Sequence, residues 1–215
     1  MKPLLKSFYD RDTQLVASDL LGKTIIRIIE GKPSLFMITE TEAYRSDDPA
    51  CHAHRGKTER NSALFGEVGH TYVYLCYGIH YCLNFVARDM LLYPAGGVLI
   101  RAVVPLEKKQ SLTNKHELND ESAVIASTIH RSKNEQMQST LIPGLMTIIN
   151  GPGNVTKALG INRSHVGINV TDQQSGIIVS EGLEIAQDLI EISGRIGISL
   201  AKDLPWRFRI KSTKL

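Results

Sequence analysis

The sequence predicts an α+β protein: one domain over residues 1–215, built on a mainly antiparallel sheet. Three observations carry this reading. Strand-like runs separated by glycine-containing turns recur between residues 24 and 104. A helical apolar pattern precedes them, and further short strand-like runs follow between residues 166 and 198. With 215 residues, 42% hydrophobic and 22% charged, the chain has an ordinary globular composition and enough length for a sizeable core.

Residues 7–22 predict an opening loop and helix. Asp12 or Thr13 caps it, Leu15, Val16, Leu20 and Leu21 form its apolar face, and Gly22 stops it. The run Thr24-Ile25-Ile26-Arg27-Ile28-Ile29 predicts a strand, Gly31-Lys32-Pro33 a turn, and residues 34–40 the partner strand. Glu40 and Glu42 then come at a strand end, on one face only if the extended run continues to Ala43. Residues 45–61 are polar, with Asp47-Asp48-Pro49 as a turn and Arg55-Gly56-Lys57-Thr58 as a loop. A loop of that length in a compact domain points to function.

Residues 70–86 predict a hairpin that turns at Tyr77-Gly78-Ile79-His80, and Gly96-Gly97 leads into a strand over 98–104. Residues 107–141 are polar and free of aromatics, and predict a surface insertion of helix and mobile connection. Asn150-Gly151-Pro152-Gly153-Asn154 predicts a turn into a short helix ending at Gly160. Its glycine pattern matches no phosphate-loop motif. Strands are expected at Ile177-Ile178-Val179 and Leu183-Glu184-Ile185-Ala186.

The net charge of +3 is unevenly spread. Residues 195–215 hold six basic side chains (Arg195, Lys202, Arg207, Arg209, Lys211, Lys214) against Asp203, a local +5 that leaves the rest at 3 − 5 = −2. A basic end suits a polyanionic partner, although such runs are also ordinary solvated surface. Three cysteines, Cys51, Cys76 and Cys82, with no paired spacing, fit a reducing compartment. The first six residues carry no apolar run of signal-peptide length, and no stretch is apolar for long enough to cross a membrane.

The chemistry gathers in residues 40–101. Six of the seven tyrosines lie there: Tyr44, Tyr72, Tyr74, Tyr77, Tyr81 and Tyr93. Packing alone favours Phe, Leu and Val, because a buried phenol needs a hydrogen-bond partner. Aromatic faces with polar tips beside a carboxylate suit a pocket that stacks on a flat polar ligand such as a nucleobase. Glu42 near Arg101 stays ionised and polarises water. Tyr77, at a turn, has little core to join; it packs across the hairpin or acts as a wedge between bases. Cys51-His52-Ala53-His54 with Asp47 and Asp48 offers zinc ligands, but no second Cys/His cluster stands at metal spacing. A histidine that stacks or hydrogen-bonds in a pocket suits the pattern better.

Glu40-Thr41-Glu42-Ala43-Tyr44, Tyr72-Val73-Tyr74-Leu75-Cys76-Tyr77-Gly78, Asn84 and Leu99-Ile100-Arg101-Ala102 together resemble the alkyladenine (3-methyladenine) DNA glycosylase family. The order holds through Asn150-Gly151-Pro152 and Pro205-Trp206-Arg207-Phe208; residues 107–141 match poorly. The resemblance implies a curved sheet flanked by helices with a protruding hairpin, and neither metal nor organic cofactor. It implies a monomer acting on double-stranded DNA with damaged purines, away from membranes: in the cytoplasm on a bacterial-type nucleoid, or in a eukaryotic nucleus. Glu42 becomes the general base and Arg101 its partner in placing water and the sugar-phosphate. Tyr44, His52 and Tyr74 stack on the extruded base, Tyr77 fills the vacated space, and Asn84 crowds out guanine. A non-catalytic nucleic-acid-binding module and a metal-dependent hydrolase using Asp47, Asp48, His52 and His54 are the rival readings.

Overall fold

The computed structural model describes residues 1–106 and 148–211. The insertion expected over 107–141 lies outside the described residues. Among these, nine strands join one curled antiparallel sheet, with few helices against it. The mixed α+β expectation therefore holds.

Helix α1 spans Lys6–Tyr9 and α2 spans Thr13–Asp19. The Asp12 carboxylate caps α2 by accepting from the amides of Gln14 and Leu15. Val16, Ala17, Leu20 and Leu21 face the core, but Leu15 is exposed, so the helix is shorter and its apolar stripe narrower than the sequence predicts. Gly22 ends the segment at φ +79°, and a Cβ there would meet the Leu183 carbonyl oxygen at 2.1 Å.

Strand β1 (Thr24–Ile29) pairs with β2 (Lys32–Arg45). The turn is tighter than expected. Glu30 and Gly31, both at positive φ, make it, and Lys32 and Pro33 already belong to the strand. At its other end β2 runs on to Arg45. Glu40 and Glu42 therefore lie inside a strand and not at its end.

Strand β3 (Thr71–Cys76) and β4 (His80–Val86) form the hairpin. Strand β5 (Gly96–Pro105) lies between β4 and β2. Strand β6 (Ile149–Asn150) adds to β5, and α3 (Pro152–Ala158) follows Gly151. Strand β7 (Ile177–Ser180) pairs with β1, β8 (Ile190–Ser193) with β9, and β9 (Arg207–Ile210) with β2 at Glu40, Thr41 and Glu42. The strand expected over 183–186 is absent: this segment is irregular, and the Leu183 amide donates to Gly22.

Sheet register separates two faces. Ala43, Val73, Leu83, Phe85, Val98 and Ile100 point into the apolar core, and Thr41 on that side donates its hydroxyl to Ala17 of α2. Alternation sends Glu42, Tyr44, Tyr72, Tyr74, Cys82, Asn84 and Leu99 to the opposite face. Between β2 and β5 the register slips twice beside Glu40: Ile38 pairs with Val103, Glu40 with Ala102 and Thr41 with Ile100. Arg101 is thus the extra residue of a bulge, a device that re-aims a side chain.

Candidate active site

The second face lines a cleft of about 540 Å³, walled by Tyr44, His52, Tyr72, Tyr74, Asn84 and Arg101 and closed on one side by residues 196–200. Glu42 is fully buried beside it. Its Oε2 accepts the Tyr44 hydroxyl at 2.8 Å and Arg101 Nη1 at 3.4 Å, while Oε1 accepts the Ile196 amide at 2.8 Å. Glu40 sits beneath. Its Oε1 accepts Arg101 Nε at 2.9 Å and Arg207 Nε at 2.8 Å. Two carboxylates and two guanidiniums thus meet with balanced formal charge, so that each buried charge has an opposite partner.

Burial and the neighbouring Glu42 charge push the Tyr44 phenol above its ordinary range. It therefore donates to the carboxylate and does not compete with it for a proton. Burial, with Cys82 beside it, also pushes Tyr74 up, and burial raises Tyr72 to about 12 and the Cys82 thiol to about 11. Every one of these groups is protonated near neutral pH.

His52 comes from the polar loop and joins the hairpin. Its Nδ1 lies 2.9 Å from the Tyr72 hydroxyl, and its ring meets Tyr74 edge-on at 4.6 Å between centroids. Tyr72 and Tyr74 are tilted by 31° at 5.4 Å. Burial and then the charge of Arg60 lower the His52 pKa, which favours the neutral ring. Asn61 fixes the loop by donating to the His52 and Gly56 carbonyls. Asn84 is buried and pinned, its amide donating to the Tyr72 carbonyl at 3.1 Å.

Tyr77 stands apart from this packing. It is 84% exposed at the hairpin tip, at the rim of the cleft, with φ +50° beside Gly78 at +73°. A non-glycine residue held in the left-handed region costs of order 1 kcal/mol or more, which makes the position a candidate for function. All seven sequence-predicted site residues therefore belong to one neighbourhood.

The rival zinc arrangement is not assembled in the structure. The zinc reading needs Asp47, Asp48, His52 and His54 to converge. Asp47 pairs with Arg45, Asp48 with Arg195, His52 with Tyr72 and exposed His54 with the Ser46 carbonyl. Within the basic end, Arg195, Arg207 and Arg209 are engaged by Asp48, Glu40 and Glu191, while Lys202 and Lys211 are exposed. Sequence reasoning missed Asp48, Arg195, Glu40 as an Arg101 anchor, and the 196–200 wall. Only the acidic residue at a turn hinted at the first.

A curled sheet sets a buried carboxylate and a guanidinium among aromatic rings, beside an exposed tyrosine, and a cleft of this class suits a flat polar ring. A family model described as methylpurine-DNA glycosylase matches residues 7–214. A relative from Carboxydothermus hydrogenoformans is 36% identical over 211 residues, 98% of this chain and 96% of its own. One from Rickettsia prowazekii is 36% identical over 222 residues (99% and 97%), and one from Chlorobaculum tepidum 37% over 209 (96% and 87%). All three are provisionally named 3-methyladenine DNA glycosylase. The chain belongs to the methylpurine-DNA glycosylase family. It is a DNA-repair glycosylase, and neither rival reading is favoured. Its substrate is DNA, and among the described residues no helix is long and apolar enough to cross a membrane.

Proposed function

We propose that this protein, one domain over residues 1–215 acting as a monomer, removes alkylated purines such as 3-methyladenine from double-stranded DNA. The lesion class follows the names of the relatives. A monomer in the bacterial-type cytoplasm or a eukaryotic nucleus follows the family resemblance. The observation that carries the reading is the Glu42 carboxylate, held by Tyr44 and Arg101 at a cleft lined with tyrosine and histidine rings.

A base inside a duplex is unreachable, so it is swung out at a cost of roughly a few kcal/mol. Stacking against rings returns roughly 1–3 kcal/mol per base. Tyr77 enters the minor groove and occupies the vacated space, which keeps the base from returning. Tyr44, His52 and Tyr74 grip the base, and Asn84 crowds the exocyclic amino group of guanine.

An alkylated purine is cationic, so it is attracted by electron-rich ring faces and leaves readily. As the C1′–N bond breaks, its electron pair goes to the departing base and neutralises it. The sugar becomes oxocarbenium-like. Glu42 stabilises that charge, takes a proton from water, and the water oxygen bonds to C1′. Arg101 places the water and the sugar-phosphate. Water must approach from the cleft side, where Tyr44 and Arg101 stand. No lysine nucleophile is used, so the product is an abasic site in an unbroken strand.

The test is release of free base from alkylated duplex DNA, with the Glu42→Gln variant alongside. The variant is expected to bind lesion DNA and to release no base. Near-normal turnover by it removes Glu42 from the role. Loss of wild-type activity with a chelator would favour the metal-dependent alternative.

A further inference from the structure

We infer that Arg195, clamped by Asp48, is a positioning residue for the Glu42 carboxylate. The inference rests on the reading of Glu42 as general base. Both side chains of the pair are fully buried. Arg195 Nη2 donates to Asp48 Oδ1 at 3.0 Å, and Nη1 donates to Oδ2 and to the Ala43 carbonyl, the latter at 2.9 Å. The guanidinium also lies 4.6 Å from the Tyr44 ring centroid and 5.2 Å from that of Trp206.

One side chain thus ties together the turn at Asp48, the β2 backbone between Glu42 and Tyr44, and the irregular segment after β8. The residue that follows it, Ile196, presents its amide to Glu42 Oε1 at 2.8 Å. Tyr44 and Arg101 hold only the other oxygen. Without the Ile196 donor the carboxylate is free to swing about its terminal torsion, which is broad and weakly restrained by itself. No strand ladder fixes Ile196 in place. The Arg195 clamp does so instead. A buried ion pair is weak evidence for stability, because desolvation offsets its attraction, and a geometric role is the better account of one placed here.

The direct test replaces the Arg195–Ile196 peptide amide by an ester, using the α-hydroxy analogue of isoleucine at position 196. This deletes one N–H and leaves every side chain in place. Excision of a single alkylated purine is followed under single-turnover conditions, with Kd for the same duplex measured separately. The rate is expected to fall about ten- to a hundredfold, the worth of one hydrogen bond to a charged group, with Kd unchanged. Arg195→Lys and Asp48→Asn are expected to show the same split, and faster hydrogen exchange at the Ile196 amide, at temperatures where they are folded.

Wild-type rate in the ester enzyme overturns the inference, and that enzyme decides the matter even where the ion-pair variants do not fold. A folded Arg195→Lys or Asp48→Asn protein with native Ile196 protection and native rate overturns it equally. Glu42→Gln, run in parallel, separates the two levels. An active Glu42→Gln enzyme removes the general-base reading, whereas an inactive one beside an unaffected ester enzyme removes only the role of Arg195.

Discussion

The Tyr44 hydroxyl donates to Glu42 Oε2 at 2.8 Å, a contact made by two residues of one strand, two positions apart. Strand alternation alone brings them to the same face. Burial and the Glu42 charge both hold the phenol in its protonated form, so the contact persists across the physiological pH range. Tyr44→Phe keeps the ring for stacking and deletes the donor. Single-turnover excision is expected to fall about tenfold, the value of a hydrogen bond to a charged acceptor. Affinity for lesion-containing duplex should hold. A rate equal to wild type would show that Tyr44 contributes only its ring.

Tyr77 makes a second prediction. Its exposure and left-handed backbone at the tip leave its ring free of core duties. Tyr77→Ser should therefore leave the melting temperature near that of wild type while impairing base flipping. Stacking is worth roughly 1–3 kcal/mol, so flipping is expected to weaken about ten- to a hundredfold. A fluorescent base analogue opposite the hairpin reads this directly. Unchanged flipping would show that the space is filled by another group.

Asn84 is held by the Tyr72 carbonyl and packed at the cleft wall, so its bulk is fixed in place. Asn84→Ser shortens that side chain. Release of undamaged guanine is expected to rise about tenfold, within the usual worth of one small group in a pocket. Unaltered discrimination, measured by guanine release from undamaged duplex, would place selection elsewhere.

Much of this site was legible because its determinants are local. Alternation along residues 40–44 and 71–86 orders the carboxylate, the rings and Asn84 onto one face, whatever the rest of the chain does. The bulge that carries Arg101 and the pairing of β9 with β2 were not legible, since both depend on register between distant strands. Asp48 and Arg195 are 147 positions apart. Taken singly, each resembles ordinary surface charge, and only tertiary burial turns them into a clamp. Leu15 misled for the opposite reason: helical periodicity placed it with Val16, but α2 ends after two turns and its core-facing stripe excludes Leu15.

His52 carries the last prediction, a dependence on pH. Burial first, and the Arg60 charge second, lower its pKa in the folded protein below the ordinary value of 6.5. The folded state therefore binds fewer protons than the unfolded chain between those two values. The resulting contribution to stability is fully present above about pH 6.5 and is lost as pH falls to the folded pKa. The neutral ring also meets a cationic purine without like-charge repulsion, so affinity for alkylated bases should weaken over the same acidic range. Titration of the His52 imidazole by NMR is expected to give a midpoint below 6.5. Arg60→Ala should move that midpoint upward, because one of its two causes is gone. A midpoint at or above 6.5 in the wild type would show that the pocket does not favour the neutral ring, and would overturn this account of His52.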